Sequence, residues 1–258
     1  MKESVFYEEL RPDQFVARIN ACPVAYLPLG TLEWHGRHLP LGADGLQARG
    51  VMAKIAERVG GIVLPMLFLG PDMTIEKNGK RYNGMDILSF DEDCPQQLEG
   101  SAYWIGDDLF FAIIDATFSN LARVGFKAVV AHGHGPSTRQ VAENRDVLGK
   151  QHGLAIHNLW ELGLGGHDGI QTDHAGFNET SIVLGLDPDL VDLSALRRDG
   201  TPVGVAGRNP ARATERTGAE IINLNVEMIS EKLAGIVKTL DAPQRKIGYA
   251  NVKNRIRD

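Results

Sequence analysis

The sequence has only two cysteines, Cys22 and Cys94, and they lie far apart. This excludes a CxxC metal pair and a disulfide framework, leaving both thiols as packing residues in a reducing compartment. Positive charge is also in short supply. Against 33 acidic residues there are 27 lysines and arginines, a formal net charge of −6. Basic residues gather no further than scattered pairs such as Lys80-Arg81 and Arg197-Arg198, so the phosphate-facing stripe of a nucleic-acid reader is missing. No stretch approaches the ~18 uninterrupted apolar residues of a membrane span. The opening "MKESVFYEEL" puts acids where a secretory leader needs an apolar run, and a cytoplasmic protein with no membrane partner is the expectation. Repeats, low-complexity tracts and Gly/Ser linkers are absent as well. With 43% of its 258 residues hydrophobic, a single domain over residues 1–258 has enough apolar material for a substantial core.

What is present is an alternation of short apolar runs with helical patterns. "CPVAYLPLG" (22–30) and "GIVLPMLFLG" (61–70) read as buried strands. Between them Val51, Ile55 and Val59 fall four apart, the spacing of a helix face over 46–59. A second helix is predicted over 106–124 from Leu109, Phe110, Ile113, Ile114, Thr117, Leu121 and Val124, stopped by Gly125. "KAVVAHGHGP" (127–136) follows as a strand and tight turn, with Pro136 opening a helix that runs to Lys150. A short strand at 154–157 comes next, and a helix near 216–240 presents Ile222, Val226, Ile229, Leu233 and Ile236 on one face. This alternation predicts an α/β fold with three layers, a mainly parallel sheet flanked by helices. The polar stretch "EKNGKRYNGMD" within 71–105 reads as a hairpin or lid, able to cover a site or form a subunit contact.

In open α/β sheets, ligands bind beyond the carboxyl ends of the strands. There "TLEWHGRHLPLGAD" (31–44) brings Glu33, His35, His38 and Asp44, and His132-Gly133-His134 ends the central strand. A third cluster, "GGHDGIQTDHAGFNETS" (165–181), fills a glycine-rich loop ahead of an apolar segment. Residues two apart on extended backbone point to the same side, so Glu33 and His35 can face one cavity. Asp44 sits where loop turns into helix, and its two oxygens can bridge two cations. Glutamate, aspartate and two histidines form a mixed N/O set suited to Zn²⁺ or Mn²⁺ and too rich in imidazole for Ca²⁺. Each residue also has a plainer reading. Asp44 can be an N-cap, His35 and His38 satisfied loop histidines, His132 and His134 solvated turn residues, and Glu179 a first-turn acid. Their coincidence at strand ends favours the metal site.

Three motifs carry a family resemblance. "PLGTLEWHGRHLPLGAD" (28–44) resembles P-x-G-S-x-E-Q-H-G-x-H-L-P-L-G-T-D, "GFKAVVAHGHG" (125–135) resembles a strand ending in N-G-H-G, and "HAGFNETS" (174–181) resembles H-A-G-x-x-E-T-S. In these motifs and their order the chain resembles the creatininase family of metal-dependent amidohydrolases over most of its length. The resemblance implies a binuclear centre of divalent ions (Zn, Mn or Fe), a small-molecule substrate, and a homo-oligomer, typically a hexamer. It implies that Glu33, His35, Asp44 and His134 are metal ligands, with Asp44 bridging the ions. It further implies that His174 handles proton transfer to the leaving group, while Glu179 orients it or contacts metal or substrate. A metal-bound hydroxide then attacks a substrate carbonyl.

Departures from the family pattern bear on the substrate. Creatinine-hydrolysing members follow the second-motif histidine with tyrosine and a metal-ligating glutamate, where this chain has Gly135 and Pro136. The second ion must then turn to Glu179 or water, or be weakly held. His132 stands in place of the usual asparagine, and the tryptophan expected shortly before the third motif is represented only by Trp160. These differences point away from creatinine itself. The leading expectation is C–N hydrolysis of a cyclic amide or formamide. The alternatives are hydrolytic ring opening of a cyclic ketone or diketone, as in an inositol-breakdown branch of the family, and a non-catalytic metal-binding oligomeric scaffold.

Overall fold

The apolar runs at 22–30 and 127–136 become neighbouring strands in a computed structural model of the chain, which describes residues 4–91, 93–197 and 202–248. Residues 1–3 of the acidic opening and Arg198 of the second basic pair lie outside the described residues. In chain order the elements are α1 (Pro12–Ala21), β1 (Val24–Leu29), α2 (Ala43–Val59), β2 (Ile62–Val63), β3 (Thr74–Lys77), β4 (Lys80–Asn83), α3 (Met85–Leu88), α4 (Asp107–Val124), β5 (Ala128–Gly133), α5 (Gly135–Glu143), α6 (Arg145–His152), β6 (Ala155–His157), α7 (Leu159–Leu162), α8 (Phe177–Leu186) and α9 (Glu215–Val237).

The main sheet runs β2-β1-β5-β6 with every pair parallel. Alternation along its two central strands sorts side chains into two cores. Val24 and Tyr26 of β1, with Ala128 and Val130 of β5, face Val51, Ile55, Ile182, Ile222 and Ile229 of α2, α8 and α9. Ala25, Leu27, Leu29, Val129 and Ala131 face the other way, onto Phe110, Ile114 and Phe118 of α4. Both faces are therefore covered, as a parallel sheet requires. The three-layer α/β architecture follows directly from that period of two.

Several local expectations change. The run at 61–70 pairs as a strand only at Ile62–Val63. Pro65 cannot donate to a ladder, and the chain rejoins the sheet edge at Leu67, whose carbonyl accepts from Gly30 N–H at 2.8 Å. The helix expected from Pro136 to Lys150 is broken into α5 and α6 at Asn144. The Asn144 side-chain amide donates to the Gln140 carbonyl at 2.9 Å, the kind of local bond that competes with the helix ladder. On α4 the buried face is Phe110, Ile114, Phe118 and Leu121, and Leu109 is exposed. Cys22 packs in the core as expected, whereas Cys94 is exposed. The hairpin within 71–105 is present as β3 and β4, joined through Asn78 and Gly79, both at positive φ. Asn-Gly is the natural pair for such a two-residue turn.

Two features position the site. The register pairs Leu29 with Gly133, so β1 and β5 end side by side and release the segments bearing Glu33, His35 and His134 at one edge. Behind that edge, α8 lies against α9 with no side-chain layer between them at Gly185 and Gly218. A Cβ at Gly218 would fall 1.7 Å from the Ser181 carbonyl oxygen, whereas one at Gly235, later on α9, meets nothing within 4 Å. Gly218→Ala is expected to destabilise at or above the upper end of the ~1–3 kcal/mol typical of overpacking. Gly235→Ala is expected to be neutral or stabilising by up to about 1 kcal/mol. Urea denaturation midpoints compare the two, and equal midpoints would refute the close helix contact.

Candidate functional site

Glu33, Asp44, His134, His174 and Glu179 line one cavity of about 790 Å³ beyond the carboxyl edge of the sheet. His35 lies fully buried behind them. Its Nε2 is 3.5 Å from Asp44 Oδ1 and 3.7 Å from Glu179 Oε2. Across the cluster, His134 Nε2 is 3.7 Å from Glu33 Oε1. Two trios, Glu33–Asp44–His134 and His35–Asp44–Glu179, each hold their potential ligand atoms within 4.8 Å of one another. Asp44 belongs to both trios. Glu33, His35 and His174 form a third overlapping trio by the same measure.

The local backbone explains how these side chains are aimed. His35 Nδ1 lies 3.1 Å from the Glu33 carbonyl; donation there leaves Nε2 as the nitrogen turned to the carboxylates, which becomes an acceptor once its proton is lost. His134 Nδ1 pairs with Ser137 Oγ at 2.9 Å. Asp44 is a fully helical first-turn residue of α2, whose N-cap is Gly42, so the N-cap reading of Asp44 fails. Its Oδ1 instead accepts from Gln171 Nε2 at 3.2 Å. Among the described residues, His35 Nε2, His134 Nε2 and Asp44 Oδ2 are buried without a hydrogen-bond partner. Leaving such groups unpaired costs about 1–3 kcal/mol each, and divalent cations would satisfy all three together. The donor set therefore fits a metal centre.

The third loop is braced from within. Asp173 accepts the N–H groups of Asn178 and Glu179 at 2.8 and 3.0 Å, capping α8 from outside its first turn. The Asn178 amide donates to the carbonyls of His167 and Gly169 and accepts from Thr172 N–H. Ala175 turns at φ +52°, and its N–H donates to Glu179 Oε2 at 2.8 Å. His174 Nε2 lies 2.9 Å from the Trp34 carbonyl, and its ring stacks on His35 at 4.3 Å between centroids. Trp160 donates its indole N–H to the carbonyls of Ile170 and Gln171 and also lines the cavity.

Charge in the cluster is strongly redistributed. Burial, opposed by His134 and reinforced by Asp44 and Asp72, pushes the Glu33 carboxyl up to about 8. Burial works against a charged His35, yet Asp44, Glu179 and Glu33 outweigh it and raise the ring to about 10. For Asp44, burial is in turn overcome by His35, which holds the carboxyl well below its ordinary value. Burial and the neighbouring Asp44 drive Glu179 well upward. His174 goes the other way, lowered to about 4 by burial and by the charge on His35.

Two other histidines from the sequence fall outside these trios. His38 turns to Thr180 Oγ1 at 2.9 Å, and His132 is buried edge-on against Trp160 at 4.9 Å. Pro136 lines the cavity but offers no ligand atom. Asp72, Gln171 and Asp173 also line it and were not singled out from the sequence. For Asp72 a signal existed: it follows the apolar run 61–70, the same position relative to a strand that marked Glu33 and His134. The stretch 71–105 contributes Met85, Leu88 and Ser89 to the wall as well.

Comparison with known proteins decides the family. The family model described as creatininase, creatinine amidohydrolase, matches residues 8–233. The chain belongs to the creatininase family. A creatinine amidohydrolase from Pseudomonas putida is 29% identical, covering 75% of this chain and 76% of its own. The mycofactocin precursor peptide peptidase of Mycobacterium ulcerans (strain Agy99) is 26% identical, covering 86% and 87%. Solved creatininase structures described as a Zn–Zn type and a Mn form each superpose with TM-score 0.70 at 22% identity, covering 92% and 91% of this chain and 99% of theirs. The creatininase fold thus covers almost all the described elements.

The His174 geometry has a spectroscopic consequence. Its ring is expected to stay neutral, with the proton on Nε2, as pH falls from 8 until it nears 4. Nitrogen-15 NMR of the imidazole reads both tautomer and charge, and an imidazolium at pH 6 would contradict this arrangement.

Proposed function

We propose that this creatininase-family hydrolase cleaves the C–N bond of a cyclic amide or formamide at a centre of two divalent ions. Glu33, Asp44 and His134 hold one ion; His35, Asp44 and Glu179 hold the other. The reading rests on the two buried trios that share Asp44, together with the unpartnered His35 Nε2, His134 Nε2 and Asp44 Oδ2. Imidazoles mixed with carboxylates suit Zn, Mn or Fe, in keeping with the zinc and manganese forms of the structural relatives. Bound there, such ions supply Lewis-acid polarisation of a carbonyl and a water that ionises near neutral pH.

The chain's own residues account for proton movement and orientation. With Nε2–H committed to the Trp34 carbonyl, His174 keeps Nδ1 as its acceptor nitrogen, suited to take a proton during attack and return it to the leaving nitrogen. Glu179 is pinned by Ala175 N–H, which fixes the carboxylate facing His35. Trp160, Met85 and Leu88 give the cavity apolar wall. At about 790 Å³ the cavity has the volume of a site for a sizeable ligand, which favours an amide or formamide borne on a larger polar molecule. Both relatives by sequence are named for C–N cleavage, of creatinine in one case and of a peptide in the other.

The same reading takes residues 1–258 as one domain, in the cytoplasm, assembled as a homo-oligomer and by resemblance a hexamer. Two unpaired cysteines accord with a reducing compartment. Exposed Met73, Leu88 and Tyr103 in the 71–105 stretch offer apolar surface for a subunit contact. The net charge of −6 disfavours a nucleic-acid partner. Among the described residues, no helix is long and apolar enough to cross a membrane.

Elemental analysis of purified protein beside Asp44→Ala tests the centre. About two ions per chain are expected in the wild type and close to none in the variant, because both sites lose their shared ligand. A substrate panel tests the reaction, and turnover confined to cyclic diketones would overturn C–N cleavage. Proton linkage is a third check. Without bound ions, His35 at about 10 and Glu33 at about 8 both carry protons at neutral pH. Ligation must displace those protons, so Mn²⁺ affinity should rise from pH 6 to 8, about tenfold per unit for each proton released. Calorimetry in buffers of different ionisation enthalpy counts the protons; a pH-independent affinity would contradict the assignment.

A further inference from the structure

The trio Glu33–Asp44–His134 has a carboxylate neighbour, Asp72, that belongs to none of the three trios. Asp72 Oδ2 lies 3.4 Å from His134 Nε2, closer than Glu33 Oε1 at 3.7 Å. His134 Nε2 is 1% exposed as a residue and has no hydrogen-bond partner among the described residues. The contact with Asp72 is at an ion-pair distance, longer than a well-formed hydrogen bond. With metal–ligand bonds of about 2.0–2.2 Å, ligand atoms on one tetrahedral ion sit about 3.3–3.6 Å apart. The His134–Asp72 separation has that value.

The Asp72 carboxylate is also oriented for the task. Its Oδ1 accepts from Met73 N–H at 2.6 Å, leaving Oδ2 for His134. The opposite face of His134 is fixed by Ser137. Gly84, at φ +49°, closes over this space: a Cβ there would fall 2.4 Å from Asp72 Oδ2 and 3.4 Å from Glu33 Oε2. A side chain at the turn between β4 and α3 would therefore press on the carboxylates of both Asp72 and Glu33, which a glycine avoids. On the α5 side, the corresponding wall is Pro136, which has no ligand atom to offer.

We infer that Asp72 is a ligand of the ion held by Glu33, Asp44 and His134, and that it clips the β3–β4 hairpin segment onto the metal centre. This rests on the binuclear reading above and adds to it the segment 71–105. Glu179, the substitute considered from sequence, is committed to the other ion, 3.7 Å from His35.

Equilibrium dialysis against Mn²⁺ tests this with wild type, Asp72→Asn and Asp72→Glu, their folding checked by thermal melts. Asp72→Asn should keep one ion per chain and bind the other at least about tenfold more weakly, with Asp72→Glu recovering part of the loss. Limited proteolysis supplies a readout independent of activity. Mn²⁺ should protect the 71–105 stretch in the wild type and lose that protection in Asp72→Asn. If wild type and Asp72→Asn both bind two ions with equal affinity, Asp72 is not a ligand, while the binuclear reading stands. A raised KM in Asp72→Asn with both ions retained would likewise overturn ligation and assign Asp72 to the substrate. If the wild type itself binds no Mn²⁺ or Zn²⁺, the binuclear reading fails and this inference with it.

Discussion

Glu33, Asp44 and Glu179 keep only 3%, 4% and 2% of their surface exposed, and carboxylates so deep persist only when positive charge and hydrogen bonds surround them. That constraint governs the architecture around them. The parallel pairing of β1 with β5 brings two histidine-bearing segments to one edge. The first turn of α2 adds Asp44, and the braced loop before α8 adds Glu179. Each contribution is incomplete alone. Together they form an alternation of imidazole and carboxylate in which every member depends on a partner from another part of the chain.

Much of this was legible in the sequence because two physical periods are simple. The alternation within "VAYLPL" and "AVVAHG" sorts side chains between two helical layers, and the four-residue spacing of Val51 and Ile55 marks the face of α2 that meets one of them. Ligand residues were legible because imidazoles and acids at strand ends are chemically conspicuous, and the three family motifs carried the same residues. Which residues meet across the site depended on distance in sequence rather than pattern. Nothing in "GPDM" reveals that Asp72 meets His134, 62 residues on. Gln171 likewise reaches Asp44 from 127 residues away. The end of β2 is less legible because apolar composition continues past Pro65, whereas pairing with β1 is interrupted there and resumes only as an isolated bridge at Leu67.

The neutral residues around the centre carry as much of the arrangement as the charged ones. Asn178 holds the glycine-rich loop by three hydrogen bonds to its backbone, and Trp160 holds it from the other side. Ser137 sets the ring of His134. Their common effect is preorganisation: the side chains that would meet an ion need little rearrangement to do so. The stretch 71–105 contrasts with this bracing. It contributes Asp72 and the apolar side chains of Met85 and Leu88 to the cavity wall from the segments that flank a separate two-stranded hairpin rather than from the main sheet.

The glycine contact between α8 and α9 divides the site's capacity for change. Where Gly218 meets the Ser181 carbonyl, backbone touches backbone, and no side chain can be exchanged to take up a shift. The wall that carries Glu179 is therefore closed to redesign, since any bulk added behind it would displace the carboxylate. The opposite rim, formed by Met85, Leu88 and Ser89 with residues 202 and 204–207, has side chains that can be traded for larger or smaller ones. Specificity in this scaffold is thus a property of its front face, and chemistry a property of its back, so the first can diversify while the second stays fixed.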